Sequence, residues 1–296
     1  MKTKKIIFLF SLFFLLFSLL ISCGGSDDSP GPIPDPPEPV TTVYVAGWYY
    51  NDPNDVACYW KNGEKIDLPG TDARANAIAV VGSDVYVAGY YYNDPTYVAC
   101  YWKNGAKTDL STADSEAMAI AVAGSDVYVA GNYLNDSTNV ACYWKNTATE
   151  KTDLYTTANS VASAIAVVGS DVYTAGRYNS GPNYACYWKN GAKTDLYTTA
   201  ESYARAIAVA GSDMYTAGLY RNGAINTACY WKGTVKTDLS AANSDVYAIA
   251  VVGSDVYVAG YYDNSSEYVA CYWKNGTITP LSKDYSEAHG IVVTVE

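Results

Sequence analysis

Several ordinary ingredients of a globular chain are missing here, and each absence removes a class of protein. No segment after residue 22 combines helical length with a 3.6-residue apolar period, so helical bundles, helical repeats and α/β folds are excluded. All five phenylalanines fall within residues 1–22, leaving thirty tyrosines and seven tryptophans to build any core. Basic charge is scarce: beyond residue 22 the chain carries 16 Lys and Arg against 30 Asp and Glu, a formal charge of −14. Such a surface repels phosphates, so nucleic acid is not an expected partner. There is one histidine, His289, with Asp284 and Glu287 near it, and no nucleophile motif, Gly-rich phosphate loop or spaced metal triad accompanies it. The chain therefore reads as non-enzymatic, with no cofactor and no metal. Asn51-Asp52, Asn93-Asp94 and Asn135-Asp136 read as turn formers rather than calcium ligands.

The only long hydrophobic run is terminal. Lys2, Lys4 and Lys5 precede an apolar stretch at 6–21 that ends at Ser22-Cys23, the layout of an export signal. Leu20-Ile21-Ser22-Cys23 resembles the lipobox of bacterial lipoproteins, which implies cleavage before Cys23 and acylation of that residue. Two or three acyl chains anchor stably at about 0.8 kcal/mol per buried CH₂. Residues 23–40 hold Pro30, Pro32, Pro34, Pro36, Pro37 and Pro39 and read as an extended tether. Gly24-Gly25-Ser26-Asp27-Asp28 resembles the sorting segment that sends lipoproteins to the outer face of the outer membrane. The expectation is a signal at 1–22, an acylated tether at 23–40 and one exported domain at 41–296, monomeric and lipid-anchored in the cell envelope.

What fills that domain is repetition. Ala-Cys-Tyr-Trp-Lys occurs six times, with cysteines at Cys58, Cys100, Cys142, Cys186, Cys229 and Cys271, spaced by 42, 42, 44, 43 and 42 residues. One unit, residues 77–110, holds four short runs rich in Val, Ile, Tyr and Trp: a (77–81), b (85–91), c (98–103) and d (107–110). Gly-Ser-Asp, Asn-Asp-Pro and Asn-Gly separate them as turns. Four strands in about 42 residues predict an all-β, six-bladed β-propeller with four antiparallel strands per blade. The domain begins on a b run at 43–49 and ends on an a run at 290–293, so the C-terminal strand is expected to close the ring in the first blade. Equivalent cysteines in successive blades would lie roughly 15 Å apart, beyond disulfide reach, and are expected to be buried free thiols. The unit also resembles the HAF-type extracellular repeat through Ala99-Cys100-Tyr101-Trp102, Asp109-Leu110, Ala117-Met118-Ala119-Ile120 and Gly131, which implies an extracellular setting.

The informative positions are those at which the copies differ. The a–b turn is Gly-Ser-Asp in all five internal copies and the c–d turn is mostly Asn-Gly, whereas the b–c and d–a loops on the opposite face vary. One position before the Ala/Gly-Ile of run a holds Asn76, Met118, Ser163, Arg205, Tyr247 and His289. Another, after the Ala-Gly of run b, holds Trp48, Tyr90, Asn132, Arg177, Leu219 and Tyr261. Aromatic rings among Asn, Asp and Arg suit a carbohydrate or protein ligand. Trp48, Tyr90, Arg177, Arg205, Tyr247, Tyr261 and His289 are the candidate binding residues, expected to cluster at one end of the channel without contributing to stability. Competing readings are an enzyme acting on extracellular polysaccharide at the channel mouth and a passive adhesive surface protein.

Overall fold

Tight turns between β-branched and aromatic runs dictate antiparallel meanders, and the structure consists of six. It is a computed structural model and describes residues 42–293. Blade one holds β1 (Tyr44–Asn51), β2 (Asn54–Lys61) and β3 (Glu64–Asp67). Blade two holds β4 (Thr71–Val81), β5 (Asp84–Asn93), β6 (Thr96–Lys103) and β7 (Ala106–Asp109). Blade three holds β8 (Ser115–Ala123), β9 (Asp126–Asn135), β10 (Thr138–Lys145) and β11 (Lys151–Tyr155). Blade four holds β12 (Ser160–Val168), β13 (Asp171–Asn179), β14 (Asn183–Lys189) and β15 (Ala192–Tyr197). Blade five holds β16 (Ser202–Ala210), β17 (Asp213–Asn222), β18 (Ile225–Lys232) and β19 (Val235–Asp238). Blade six holds β20 (Ser244–Val252), β21 (Asp255–Asp263), β22 (Tyr268–Lys274) and β23 (Thr277–Pro280). Within each sheet the strands pair in chain order, as a propeller blade requires.

The repeated turns are fixed by their own chemistry. Gly82 sits at φ 60° at the first position of a two-residue turn, where a type II′ hairpin needs glycine. Asn104 and Gly105 both have positive φ, 50° and 84°, as a type I′ turn demands. The two turns are then tied together: Asn104 Oδ1 accepts the Val85 N–H at 2.9 Å, and its Nδ2 donates to Asp84 at 2.8 Å. Lys103 reaches the same carboxylate at 2.9 Å. The same Asn–Asp–Lys arrangement recurs in blades three, four and six. The invariant face of the propeller is therefore spent on structure.

Blades pack face to face, and the repeated Ala-Cys-Tyr-Trp supplies the contact. Cys142 and Trp144 of blade three lie against Ala99 and Leu110 of blade two, and the equivalent residues join each later pair. Five tryptophans, Trp102, Trp144, Trp188, Trp231 and Trp273, are fully buried in these layers. All six repeat cysteines are free and buried, and burial raises every one of their thiol pKa values. A further anchor escaped the sequence reading. Ser115, Ser160, Ser202 and Ser244, each the first residue of an innermost strand, and Ser286 at the equivalent place each accept a hydrogen bond from an alanine N–H of the preceding blade at 2.8–3.0 Å. Part of the variable face is thus as fixed as the turn face.

The seam departs from expectation. The first sheet has three strands, and Gly290–Val293 forms no strand on β1, so the expected closure is not made within the described residues. Val292 is 87% exposed, Val45 on β1 is 50% exposed, and Trp60 is only partly buried. The run at 290–293 has the residue types of an innermost strand but lacks the Gly-Ser-Asp hairpin and b strand that pin each internal copy. The export signal, Cys23 and the proline-rich tether lie outside the described residues.

Candidate binding site at the inner-strand bulges

Every complete blade has the same irregularity in its innermost strand. Pairing runs Arg74↔Tyr90, Ala75↔Gly89, then Ala77↔Ala88, skipping Asn76, and the same skip falls on Met118, Ser163, Arg205 and Tyr247. One extra residue on one strand is a β-bulge, a device that re-aims a side chain beside a site. The glycine of the Ala-Gly pair makes room for it. A Cβ on Gly89, Gly131, Gly176, Gly218 or Gly260 would lie 1.9–2.0 Å from a carbonyl oxygen on the bulged strand. That fixes the local rule: glycine permits the bulge, the bulge presents one residue, and the residue after the glycine stands beside it.

These presented side chains converge. A cavity of about 490 Å³ is lined by Glu116, Met118, Ser163, Arg177, Arg205 and Tyr247, with Asn132 also on its wall. That volume is within the range of small-ligand sites. Of the seven candidate residues, Arg177, Arg205 and Tyr247 line it directly. His289 stacks on Tyr247 at 4.3 Å and Tyr261 lies 6.1 Å from it, so both border the same wall. Trp48 and Tyr90 are not in that lining. Trp48 lies under the Arg74 guanidinium at 4.3 Å, Arg74 is paired with Asp55 at 2.7 Å, and Tyr90 packs edge-on to Tyr97. They form a separate group around Arg74.

The likeness to known structures is one of fold: a β-propeller. No family model matches the chain, and no curated protein does either. An acylaminoacyl peptidase from Pyrococcus horikoshii superposes with a TM-score of 0.52 at 12% identity, over 82% of this chain and 44% of its own. The β-propeller domain of the Trilobed protease from Pyrococcus furiosus, described as an open velcro topology, gives 0.51 at 12%, over 82% and 80%. TolB from Acinetobacter baumannii gives 0.52 at 7%, over 83% and 65%. The chain spans less than half of the peptidase, so only architecture is shared.

Charge in the cavity is arranged unevenly. Arg205 grips Asp245 of the next blade through two bonds, Nε–Oδ1 at 3.0 Å and a terminal nitrogen to Oδ2 at 2.8 Å. Asp245 is 4% exposed, and burial raises its pKa even with that partner. Arg205 is therefore a structural ion pair as well as a wall, which corrects the expectation that it is free of a stability role. Burial, then the charges of Asp245 and Glu287, push the Tyr261 hydroxyl up to about 12, and Tyr247 is raised by the same causes while donating to Glu287 at 3.2 Å. Both phenols are neutral at ordinary pH. Arg177 is drawn below the usual guanidinium range by burial, and the nearby positive charge of Arg205 adds to the effect. Burial raises Glu116, Asp114 adds to it, and Arg74 opposes it.

Glu116 and Asp245 were missed by the sequence reading, and Glu287 was noted only as a neighbour of His289. All three occupy one repeat position, two residues before the bulge or its equivalent, together with Arg74, Val161 and Tyr203. That column varies as widely as the two that were singled out. The signal was present in the sequence, but only the bulge and the neighbouring blade show that this column borders the same cavity.

Proposed function

We propose that this chain is a cell-surface lipoprotein, anchored through Cys23 and held off the membrane by its proline-rich tether, whose propeller binds a carbohydrate or protein ligand at the bulge cavity without catalysing a reaction. The observation that carries the reading is the division of labour between the faces. The repeated turns are consumed by Asn–Asp–Lys locks, whereas the bulges hold unlike side chains, Met118, Ser163, Arg205 and Tyr247, around one cavity. A scaffold that keeps the same bulge in every complete blade and varies the side chain it presents suits recognition. The resemblance to HAF-type extracellular repeats and the lipobox-like Leu20-Ile21-Ser22-Cys23 support a setting outside the cell. His289 is held by Glu287 at 3.3 Å and by the Tyr247 ring, an arrangement suited to a binding wall.

Binding of surface polysaccharides and envelope proteins to the purified chain is the test. Tyr247→Ala is expected to weaken the ligand found by about thirtyfold, the cost of truncating a central anchor. Asp84→Ala, on the turn face, is expected to leave affinity unchanged. Loss of binding in folded Asp84→Ala with none in Tyr247→Ala would place the ligand surface elsewhere. Cys23→Ala is expected to remove the protein from membrane fractions or leave it unprocessed, and membrane retention of a fully processed variant would refute the anchor.

A further inference from the structure

The cationic groups of this acidic protein are almost all engaged. Of the sixteen Lys and Arg side chains among the described residues, twelve hold a carboxylate within 4.0 Å. Lys61, Arg177, Arg221 and Lys283 are the remainder, and Arg177 alone of these is withdrawn from solvent. It makes no hydrogen bond or ion pair among the described residues. Its guanidinium lies over the Tyr203 ring at 5.2 Å, which leaves the edge of its donor fork free, and it lines the cavity. A planar fork of this kind matches a carboxylate.

The opposite charge stands on another wall. Glu116 of blade three lines the same cavity, likewise without a hydrogen bond or ion pair among the described residues, and Asp114 beside it adds negative charge. Arg74 is the cation that acts on Glu116, but it is committed to Asp55 at 2.7 Å. Arg177 and Glu116 do not neutralise each other, since no pair forms within 4.0 Å. Two complementary charges are thus left unpaired in one concave space, which Ser163 and Asn132 also line as neutral polar groups.

Resting on the proposed binding cavity, we infer that its ligand is a small zwitterion, a short free peptide whose carboxylate meets Arg177 and whose ammonium meets Glu116. A simple anion satisfies Arg177 but is opposed by Glu116 and Asp114, and a neutral saccharide leaves both charges unanswered. Arg177 and Glu116 stand more than 4.0 Å apart, so the ligand must span a gap, and a dipeptide adds one residue of about 3.5 Å of reach to an α-amino acid. The volume of about 490 Å³ accommodates a ligand of that size. Burial disfavours the charged form of the partly exposed Arg177, and a carboxylate arriving at its fork offsets that cost, while the more exposed Glu116 selects for the ammonium end.

Calorimetric titration of the full chain with alanyl-alanine, its N-acetyl and C-amide derivatives, galacturonate and galactose tests this directly. The free dipeptide is expected to bind, and blocking either end to weaken it by about tenfold or more. Arg177→Gln should bind the dipeptide and its amide equally, and Glu116→Gln should bind the dipeptide and its N-acetyl form equally. Arg177→Gln loses an unpaired desolvated charge, so its unfolding midpoint should equal or exceed that of the parent. The inference is overturned if alanyl-alanine binds no better than galactose, if galacturonate binds as tightly and Glu116→Gln is without effect, or if either substitution leaves the end-group preference intact. A saccharide or protein ligand lost in Tyr247→Ala but indifferent to Arg177→Gln would overturn this inference and leave the binding propeller standing. A ligand indifferent to Tyr247 as well would remove both.

Discussion

Gly131→Ala tests whether the bulge, and not the strand around it, places the site. A Cβ built there meets the Glu116 carbonyl oxygen at 2.0 Å, its carbon at 3.0 Å and Ala117 Cα at 3.1 Å. Real Cβ contacts begin near 3.0 Å, so the carbonyl must retreat by about 1 Å. It is the backbone carbonyl of Glu116 itself, two residues before the bulged Met118, and it has no rotamer through which to yield. The strand must therefore flatten, turning both side chains out of the cavity. Overpacking costs about 1–3 kcal/mol where side chains can adjust, and a backbone clash belongs at the upper end, about 3 kcal/mol. With a urea slope near 3 kcal/mol/M, the midpoint falls by about 1 M. Gly124→Ala is the control: its φ is 62° and nothing lies within 4 Å, so it carries only the left-handed penalty of about 1–2 kcal/mol and leaves the cavity intact. Urea unfolding with a binding titration on both variants reads the difference. A Gly131→Ala protein with an unchanged midpoint and unchanged ligand affinity would refute the bulge as the positioning device.

Two further outcomes follow from packing and burial. Trp144 is fully buried and Trp60 is not, so Trp144→Ala should cost about 3–5 kcal/mol and Trp60→Ala clearly less in chemical unfolding; equal losses would mean that blade one is packed on both faces. Burial raises the thiol pKa values, Cys271 to about 12, so the folded state keeps protons that the unfolded state releases above about pH 8.5. Stability should accordingly be insensitive to these groups below that pH and fall as pH rises through 8.5–10, by up to about 1.4 kcal/mol per pH unit per thiol. A Cys229→Ala variant should show a shallower decline, and an identical pH slope would refute the assignment.

How much of this was legible in the sequence depended on whether a feature lives in one copy or between copies. Four strands per unit, the tight turns between them and the six-blade count were readable because Gly-Ser-Asp, Asn-Gly and Ala-Cys-Tyr-Trp are local signals repeated at a fixed period. The buried thiols followed from the same period, since equivalent positions in a ring cannot meet. The serine anchors were not readable: Ser115 and its equivalents look like loop residues until the alanine N–H they cap, sixteen to nineteen positions earlier, is brought beside them. Closure was inferred from residue type at 290–293, and residue type does not supply the hairpin that holds each internal inner strand to its neighbour. Arg205 was read as a ligand contact because the alignment compares equivalent positions and cannot show that it reaches Asp245, forty residues on, in the next blade.

That forty-residue step explains why the site varies where the scaffold does not. A bulge side chain reaches the neighbouring blade: Asn76 donates to the Ala117 carbonyl at 2.9 Å, Arg205 to Asp245, and Tyr247 to Glu287. Arg205 and Tyr247 are thus matched to the position two before the bulge, or its equivalent, in the next copy. Asn76 meets a backbone carbonyl and so places no demand on Glu116, the side chain at the matching position. Blade four breaks the chain differently: Ser163 is too short for a comparable reach, and Val161 two before it offers no polar group, so Arg177 beside them has nothing to pair with. The free carboxylate and the free guanidinium arise at the points where this blade-to-blade pairing lapses. Pairing elsewhere makes the wall rigid, and the lapses leave it two charges with which to hold something else.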